Sequence, residues 1–390
     1  NFVMAENFKM LAKTLFGFED LLARELRELG AGDIEIGTRS VGFSGDRGFM
    51  YKANLCCRTA IKILKPLRSF VVKDENALYA AVKSIDWSQY MRVNDTFAIN
   101  ATLSGEQFTH SLFVAQKAKD AVVDQFREAT GERPDVDLKF PDLSIDIHIR
   151  HNRCTISLDS SGVSLHQRGY RLNTNVAPIN EVLAAGCLML SGWKGHSDFL
   201  DPMCGSGTML IEAAMIACNI PPNLNRKQFG FENWHDWDPD LFDIIEASAL
   251  KKIREFHFTI QGYDKDPSVI EKAKENIKNA ELSEFISIKE ADFFKTEKER
   301  ERHLQMVFNP PYGERIPVEM ETFYKNIGDT LKQNYKDTEA WFITSNLESL
   351  KHVGLRTSRK IKLYNGSLES RLVKYDIYAG SKKAKYQNND

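Results

Sequence analysis

The sequence predicts an α/β chain: two small α+β units, then a largely parallel sheet with helices on both faces, closed by an antiparallel hairpin. Beyond about residue 175, short apolar runs alternate with amphipathic runs, the pattern of a sheet built from βα units. Near the end, two strand-like runs, 360–364 and 368–378, flank Asn365-Gly366, the strongest short hairpin signal. Earlier, Ile145, Ile147 and Ile149 alternate with Asp146 and His148, which marks a half-buried strand rather than a fully covered one.

In chain order, Phe18, Leu21, Leu22, Leu26 and Leu29 recur at helical spacing, and Gly30 and Gly32 end that helix. Residues 34–36 and 48–51 read as strands. A second helix is expected to carry Leu55, Ala60, Ile61 and Leu64 and to stop at Pro66. In the next unit, 96–101 reads as a strand and 114–126 as an amphipathic helix with Lys117 and Lys119 on its polar side. Residues 143–150 and 153–159 read as a hairpin, and Gly162 opens a polar connection through Arg168, Tyr170 and Arg171. Residues 182–193 read as a buried helix. Then come a strand (199–203), a helix (208–218), a strand (259–263), a helix (267–281), strands (285–289 and 305–308), a helix (318–335) and a strand (340–344).

A chain of 390 residues has length for about two or three domains. Its 42% hydrophobic and 27% charged residues exclude disorder, collagen and coiled coil for the whole chain. No apolar run approaches the ~18–20 residues of a membrane span, and no secretory pattern opens the chain. The six cysteines form no C-x-x-C pair, and no His stands at zinc-finger spacing from them. Reduced thiols, a cytoplasmic location and no metal are therefore expected. The net charge of −2 argues by itself against a nucleic-acid partner. That average conceals residues 47–73, with seven basic side chains and no acid, and residues 351–390, each summing to +7. A solvated face and a phosphate-facing face are both open readings of such runs.

Asp201-Pro202-Met203-Cys204-Gly205-Ser206-Gly207-Thr208 sits at a strand end and opens a helix. Its glycines permit a tight turn, and the helix N-terminus offers free N–H groups to a carboxylate or phosphate. The third glycine of a dinucleotide fingerprint is replaced by Leu210, and the Gly-Lys-Ser/Thr of a P-loop is missing. Asp264, at the end of the next strand, is a candidate acceptor for two ribose hydroxyls, with Asp266 before Pro267 as the helix cap. Asp292 and Phe293 could accept from an adenine amine and pack on its ring. Asn309-Pro310-Pro311-Tyr312 follows an apolar strand. Its prolines give no N–H donors, its carbonyls and the Asn309 amide oxygen are acceptors, and Tyr312 offers a face to an extruded base. Cys204 reads as a small packing residue rather than a nucleophile. Together the four motifs describe a site for a nucleoside bearing a carboxylate beside a site for an amine.

These motifs resemble the cofactor and catalytic motifs of Rossmann-like amino-methyltransferases. The resemblance also covers Leu165 to Arg171, Ala177-Pro178-Ile179-Asn180-Glu181, Ile211-Glu212-Ala213-Ala214 and Phe231-Glu232-Asn233-Trp234. The whole is similar to the bacterial THUMP-containing 23S rRNA guanine-N2 methyltransferases, which are often labelled N6-adenine-specific DNA methylases. The resemblance implies a ferredoxin-like subdomain (4–68), a THUMP RNA-binding domain (69–166) and a Rossmann-like methyltransferase domain (167–390). It implies S-adenosylmethionine as cofactor and S-adenosylhomocysteine as product. Asp201, Cys204, Gly205, Ser206, Gly207, Thr208, Asp264, Asp292, Phe293 and Asn309 would border the cofactor, and Asn309, Pro310, Pro311 and Tyr312 the transferred methyl. Lys117, Arg150, Arg153, Arg168 and Arg171 are the candidate RNA contacts, with ribosomal RNA the expected partner and no membrane or obligate protein partner. Asp264 lies 63 residues after Asp201, against about 20 in a compact βαβ unit, so residues 219–258 are an insertion, expected to elaborate the substrate mouth. An adenine-N6 DNA methyltransferase could use the same four-residue motif. The sequence also leaves open a tRNA guanine-N2 methyltransferase and a non-catalytic RNA-binding factor.

Overall fold

The structure, a computed structural model, describes residues 5–171, 178–311 and 317–380. Ala177, Tyr312, Lys382, Lys383 and Lys385 lie outside them. The chain divides into two compact units. Unit 1 gathers the described residues up to Thr14 with Leu22–Leu165 and Arg226–Ser248; unit 2 gathers Leu15–Leu21, His166–Asn225 and the chain from Ala249 onward.

The first part of the chain forms β1 (Phe8–Lys13), α1 (Glu19–Leu29), β2 (Gly32–Gly37), β3 (Ser40–Gly45), α2 (Arg47–Cys56), β4 (Lys62–Val71), α3 (Glu75–Lys83), β5 (Thr96–Ser104), α4 (Ser111–Thr130), β6 (Asp135–Val136), β7 (Leu143–Arg150) and β8 (Arg153–Asp159). One sheet joins all eight strands in the order β2-β3-β1-β4-β8-β7-β5-β6. The position expected to divide two domains, after residue 68, falls inside β4, which pairs with β1 on one side and β8 on the other.

Two local expectations are corrected here. Residues 48–51 are helical, not extended, because the Asp46 side chain accepts the Phe49 N–H at 2.8 Å and starts α2. The helix expected through Leu64 ends at Cys56, and Ile63 and Leu64 are strand residues of β4. Pro66 does not stop that strand. The pairing with β8 shifts register between Pro66 and Arg68, so the ladder accommodates the missing N–H.

The second part forms α5 (Glu181–Leu190), β9 (Asp198–Asp201), α6 (Thr208–Cys218), α7 (Pro239–Leu250), β10 (Ile260–Asp264), α8 (Pro267–Asn279), β11 (Ile286–Glu290), β12 (Leu304–Phe308), α9 (Pro317–Asn334), β13 (Thr338–Thr344), β14 (Arg359–Asn365) and β15 (Leu368–Ile377). Seven strands order as β11-β10-β9-β12-β13-β15-β14. β9 to β13 are parallel, and β15 runs antiparallel to both β13 and β14. Strand order reverses between β9 and β12, the topological switch point where open α/β sheets bind ligands at the carboxyl ends.

Each element of unit 2 is fixed by its burial. Every residue of α6 is buried, and only Thr208 and Glu212 among them are polar. Met306, Phe308, Tyr324, Ile327, Leu331, Phe342, Val373 and Tyr375 join β12, β13, β15 and α9 in one apolar cluster. The α5 glycine at 186 is required by shape, since a Cβ there would stand 2.1 Å from the fully buried Phe18 ring. Among the described residues no helix is long and apolar enough to cross a membrane.

Candidate active site

The carboxyl ends of β9, β10 and β12 bring the predicted motifs together. Asp201 closes β9, is 2% exposed, and accepts the Met203 N–H at 3.0 Å. The turn that follows needs left-handed backbone at Gly205 (φ 51°) and Gly207 (φ 87°), a region costly for side chains other than glycine. Its closure is the Gly207 N–H donating to the Cys204 carbonyl at 2.9 Å. A Cβ on Gly205 would meet nothing within 4 Å, so the turn faces open space there. Gly207 caps α6 without a side-chain bond, leaving the first-turn N–H groups of this helix open to an acceptor.

Asp264 ties the second loop to the first. Its Oδ2 accepts the Gly205 N–H at 3.1 Å and its Oδ1 accepts the Asp266 N–H at 3.0 Å. Asp266 caps α8 through the Ser268 N–H, as the sequence suggested. Burial, together with the nearby Asp264 carboxylate, pushes the Asp201 carboxyl up to about 8. Burial likewise pushes the Cys204 thiol far up, which removes thiolate chemistry from the turn. The Ser206 carbonyl accepts from the Asn276 side chain at 3.0 Å.

The Ala291 N–H donates to the Asp264 carbonyl at 2.9 Å, which sets Asp292 beside this loop. Asp292 caps the short 3-10 helix Phe293–Lys295 by accepting the Phe294 N–H at 3.1 Å. Phe293 is a correction. It is 3% exposed and packs on Tyr335 and Phe308, with centroids 5.5 and 6.2 Å away, so its ring belongs to the core rather than to a ligand. Phe294, half-buried, is the aromatic beside it.

Asn309 follows β12, with Pro310 buried and Pro311 exposed. Its Oδ1 is buried and has no hydrogen-bond partner among the described residues. An amide oxygen left in that state costs about 1–3 kcal/mol, a penalty that a bound donor would relieve.

Two of the five candidate RNA contacts are corrected by burial. The Arg168 side chain is fully buried, and its guanidinium meets Glu212 Oε1 at 2.8 Å while the Tyr170 hydroxyl donates to Glu212 Oε2 at 3.0 Å. Arg171, 19% exposed, binds Glu181 at 2.9 Å and donates to Thr208 Oγ1 at 2.6 Å at the start of α6. The expected polar connection is therefore an internal strut against the cofactor-type turn. Glu212 was the missed residue, and its signal was a lone carboxylate in the apolar run Met-Leu-Ile-Glu-Ala-Ala. In unit 1, Arg150 and Arg153 are exposed and pair directly across the end of the β7–β8 hairpin. The Lys117 ammonium lies 5.5 Å from the Tyr79 ring centroid.

The insertion divides between the two units. Residues Arg226–Ser248 group with unit 1. Phe231 stacks on Tyr51 at 4.4 Å and on Phe229 at 5.1 Å, and Arg226 donates to the carbonyls of Ser161 and Val163 at 3.1 and 2.8 Å. This segment packs into the core of unit 1.

Known families cover most of this chain. Residues 168–374 match the family described as RMKL-like, methyltransferase domain. Residues 72–159 match the THUMP domain and residues 9–64 the RlmL ferredoxin-like domain. A Synechocystis protein, slr0064, whose name assigns it as an RNA methyltransferase, is 38% identical over 93% of this chain and 95% of its own. The ribosomal RNA large subunit methyltransferase K/L of Syntrophotalea carbinolica is 37% identical over 95% of this chain, but the match spans only 53% of that relative. The crystal structure of SMU.472, assigned as a methyltransferase and complexed with SAH, superposes with a TM-score of 0.85 at 28% identity, covering 97% of this chain and 100% of that one.

Proposed function

This chain belongs to the family described as RMKL-like, methyltransferase domain, and from that premise we propose that it transfers a methyl group from S-adenosylmethionine to an exocyclic amine of RNA, the N2 of a guanine in large-subunit ribosomal RNA. The observation that carries this reading is the Asn309 Oδ1 at the switch point of the sheet, buried and without a hydrogen-bond partner among the described residues. An acceptor in that state suits an NH₂ group.

When bound, S-adenosylmethionine supplies a methyl group made electrophilic by its sulfonium sulfur. The chain's residues fit that ligand. The open space at Gly205 admits it, the uncapped start of α6 suits its carboxylate, Asp264 is the proposed ribose partner and Asp292 the proposed adenine partner. Asn309 Oδ1 and the Pro310 carbonyl accept the two amine hydrogens and leave the nitrogen lone pair facing the methyl group. Pro310 and Pro311 offer no competing N–H. Tyr312 is the proposed face for the extruded base. Positioning by fixed dipoles is the contribution asked of these residues.

Asn309→Ala tests it. Calorimetry should find S-adenosylmethionine still bound, while methyl transfer to undermethylated ribosomal RNA falls roughly 10²–10³-fold. Transfer at the wild-type rate with cofactor bound would overturn the role given to Asn309. The substrate class is tested by methyl incorporation into ribosomal RNA, transfer RNA and duplex DNA. The names of the relatives support RNA, and incorporation into DNA alone would overturn it.

A further inference from the structure

Away from the motifs, the outer strands of unit 2 carry an open groove of about 520 Å³, bordered by β14, β15 and the segment that joins β13 to β14. Lys351, Arg356, Lys360 and Arg371 line it with no acidic side chain among the lining residues, beside three leucines, Gly354, Thr357 and Tyr375. Acids do reach its rim. Glu348 lies 3.7 Å from Lys351, and Glu369 lies 3.7 Å from Arg371, all at partly or fully exposed positions where such pairs contribute little. Arg356 and Lys360 are exposed and have no carboxylate in ion-pair reach among the described residues. Tyr375 is 1% exposed, and its hydroxyl is buried with no hydrogen-bond partner among the described residues.

The joining segment is held firmly. A Cβ on Gly328 of α9 would stand 1.7 Å from the Val353 carbonyl oxygen, so only glycine lets the short 3-10 helix Glu348–Val353 approach so closely. The register places the groove relative to Asn309. Phe308 pairs with Phe342, and Thr344, two residues on, pairs with Arg371. Arg371 therefore sits two residues beyond the level of Phe308, where β12 ends, and two strands from it, ~10 Å across the sheet at ordinary strand spacing.

We infer that this groove takes the phosphodiester backbone of the substrate RNA strand flanking the base presented to Asn309. The cations are suited to phosphate oxygens. A single phosphate ion would leave most of a 520 Å³ groove empty, which favours a chain of nucleotides over a free anion. The inference rests on the RNA reading of the proposed function and adds a second contact region to it.

The test is the double variant Arg356→Gln/Lys360→Gln in the full chain, bound to undermethylated 23S ribosomal RNA over a range of salt. Each lost phosphate contact removes about 0.7–0.9 from the slope of log affinity against log salt. A slope shallower by about 1–2, with weaker RNA binding and unchanged S-adenosylmethionine binding, is expected. A variant equal to wild type in affinity and slope overturns the groove and leaves the methyltransferase reading standing. A wild-type chain that binds cofactor but neither binds nor methylates RNA overturns both. In a thermal-shift arm, a short oligoribonucleotide should stabilise the wild type more than inorganic phosphate at equal phosphate concentration. Equal stabilisation would make a free anion the ligand and overturn the inference.

Discussion

Residues 47–73 and residues 351–390 each sum to +7, yet their cations meet different surroundings. In the first stretch, Arg47 meets Asp236 at 3.5 Å, Lys62 meets Asp146 at 3.1 Å, Lys52 donates to the Leu29 carbonyl at 2.9 Å, and Lys65 lies 4.3 Å from the Phe8 ring centroid. These partners are distant in sequence, and a half-buried cation needs them to offset its desolvation. In the second stretch, Lys362 meets Glu369 at 3.0 Å and Lys374 meets Glu339 at 2.6 Å, but Arg356 and Lys360 stand exposed at a groove without acids in its lining. The first stretch thus commits four of its seven cations to contacts within unit 1, whereas the second leaves Arg356 and Lys360 at a groove open to a ligand. The deciding factor is which acids the fold delivers to each cation.

Glu212→Ala should break this distinction most severely, at a cation of the structural kind. It strips the fully buried Arg168 of its carboxylate, and removing one partner of such a pair costs about 3–5 kcal/mol. Urea unfolding should show that loss; a change under about 1 kcal/mol would mean that the pair is not desolvated. Asp146→Ala acts on the less buried Lys62, whose side chain is 22% exposed against 7% for Asp146. Water reaches this ammonium, so the expected loss is smaller, about 2 kcal/mol. A loss equal to that of Glu212→Ala would remove the graded relation between burial and cost.

Much of unit 2 was legible because each βα step has its own signals. α6 runs from Thr208 to Cys218 as the glycine turn and apolar run foretold, and Asp266 caps α8 as expected. The hairpin around Asn365-Gly366 also stood where its turn placed it. Legibility failed where a distant partner overrides a local pattern. Phe49 to Tyr51 looks extended by composition, but the Asp46 cap makes it helical. Arg168 looks like a surface cation until Glu212, 44 residues later, is folded onto it. Phe293 looked like a ligand platform because the sequence cannot show that Tyr335 covers its ring. The insertion was visible as an excess of residues, but the place of Arg226–Ser248 in unit 1 depends on Tyr51, which no local signal connects to Phe231.

Tyr375→Phe gives the smallest effect, and one of opposite sign. The ring stacks on Phe342 with centroids 5.6 Å apart, and phenylalanine would keep that packing. Only the hydroxyl changes, and it is buried without a partner among the described residues. Removing an unsatisfied buried hydroxyl should stabilise the free protein by about 1 kcal/mol, where Glu212→Ala and Asp146→Ala destabilise it. The hydroxyl lies beneath the groove surface, so the same substitution should leave RNA binding unchanged as stability rises. Thermal unfolding without RNA and affinity with RNA, measured on one variant, check the two expectations. A fall in stability would mean that the hydroxyl already serves the fold, and Tyr375 would then belong with Arg168.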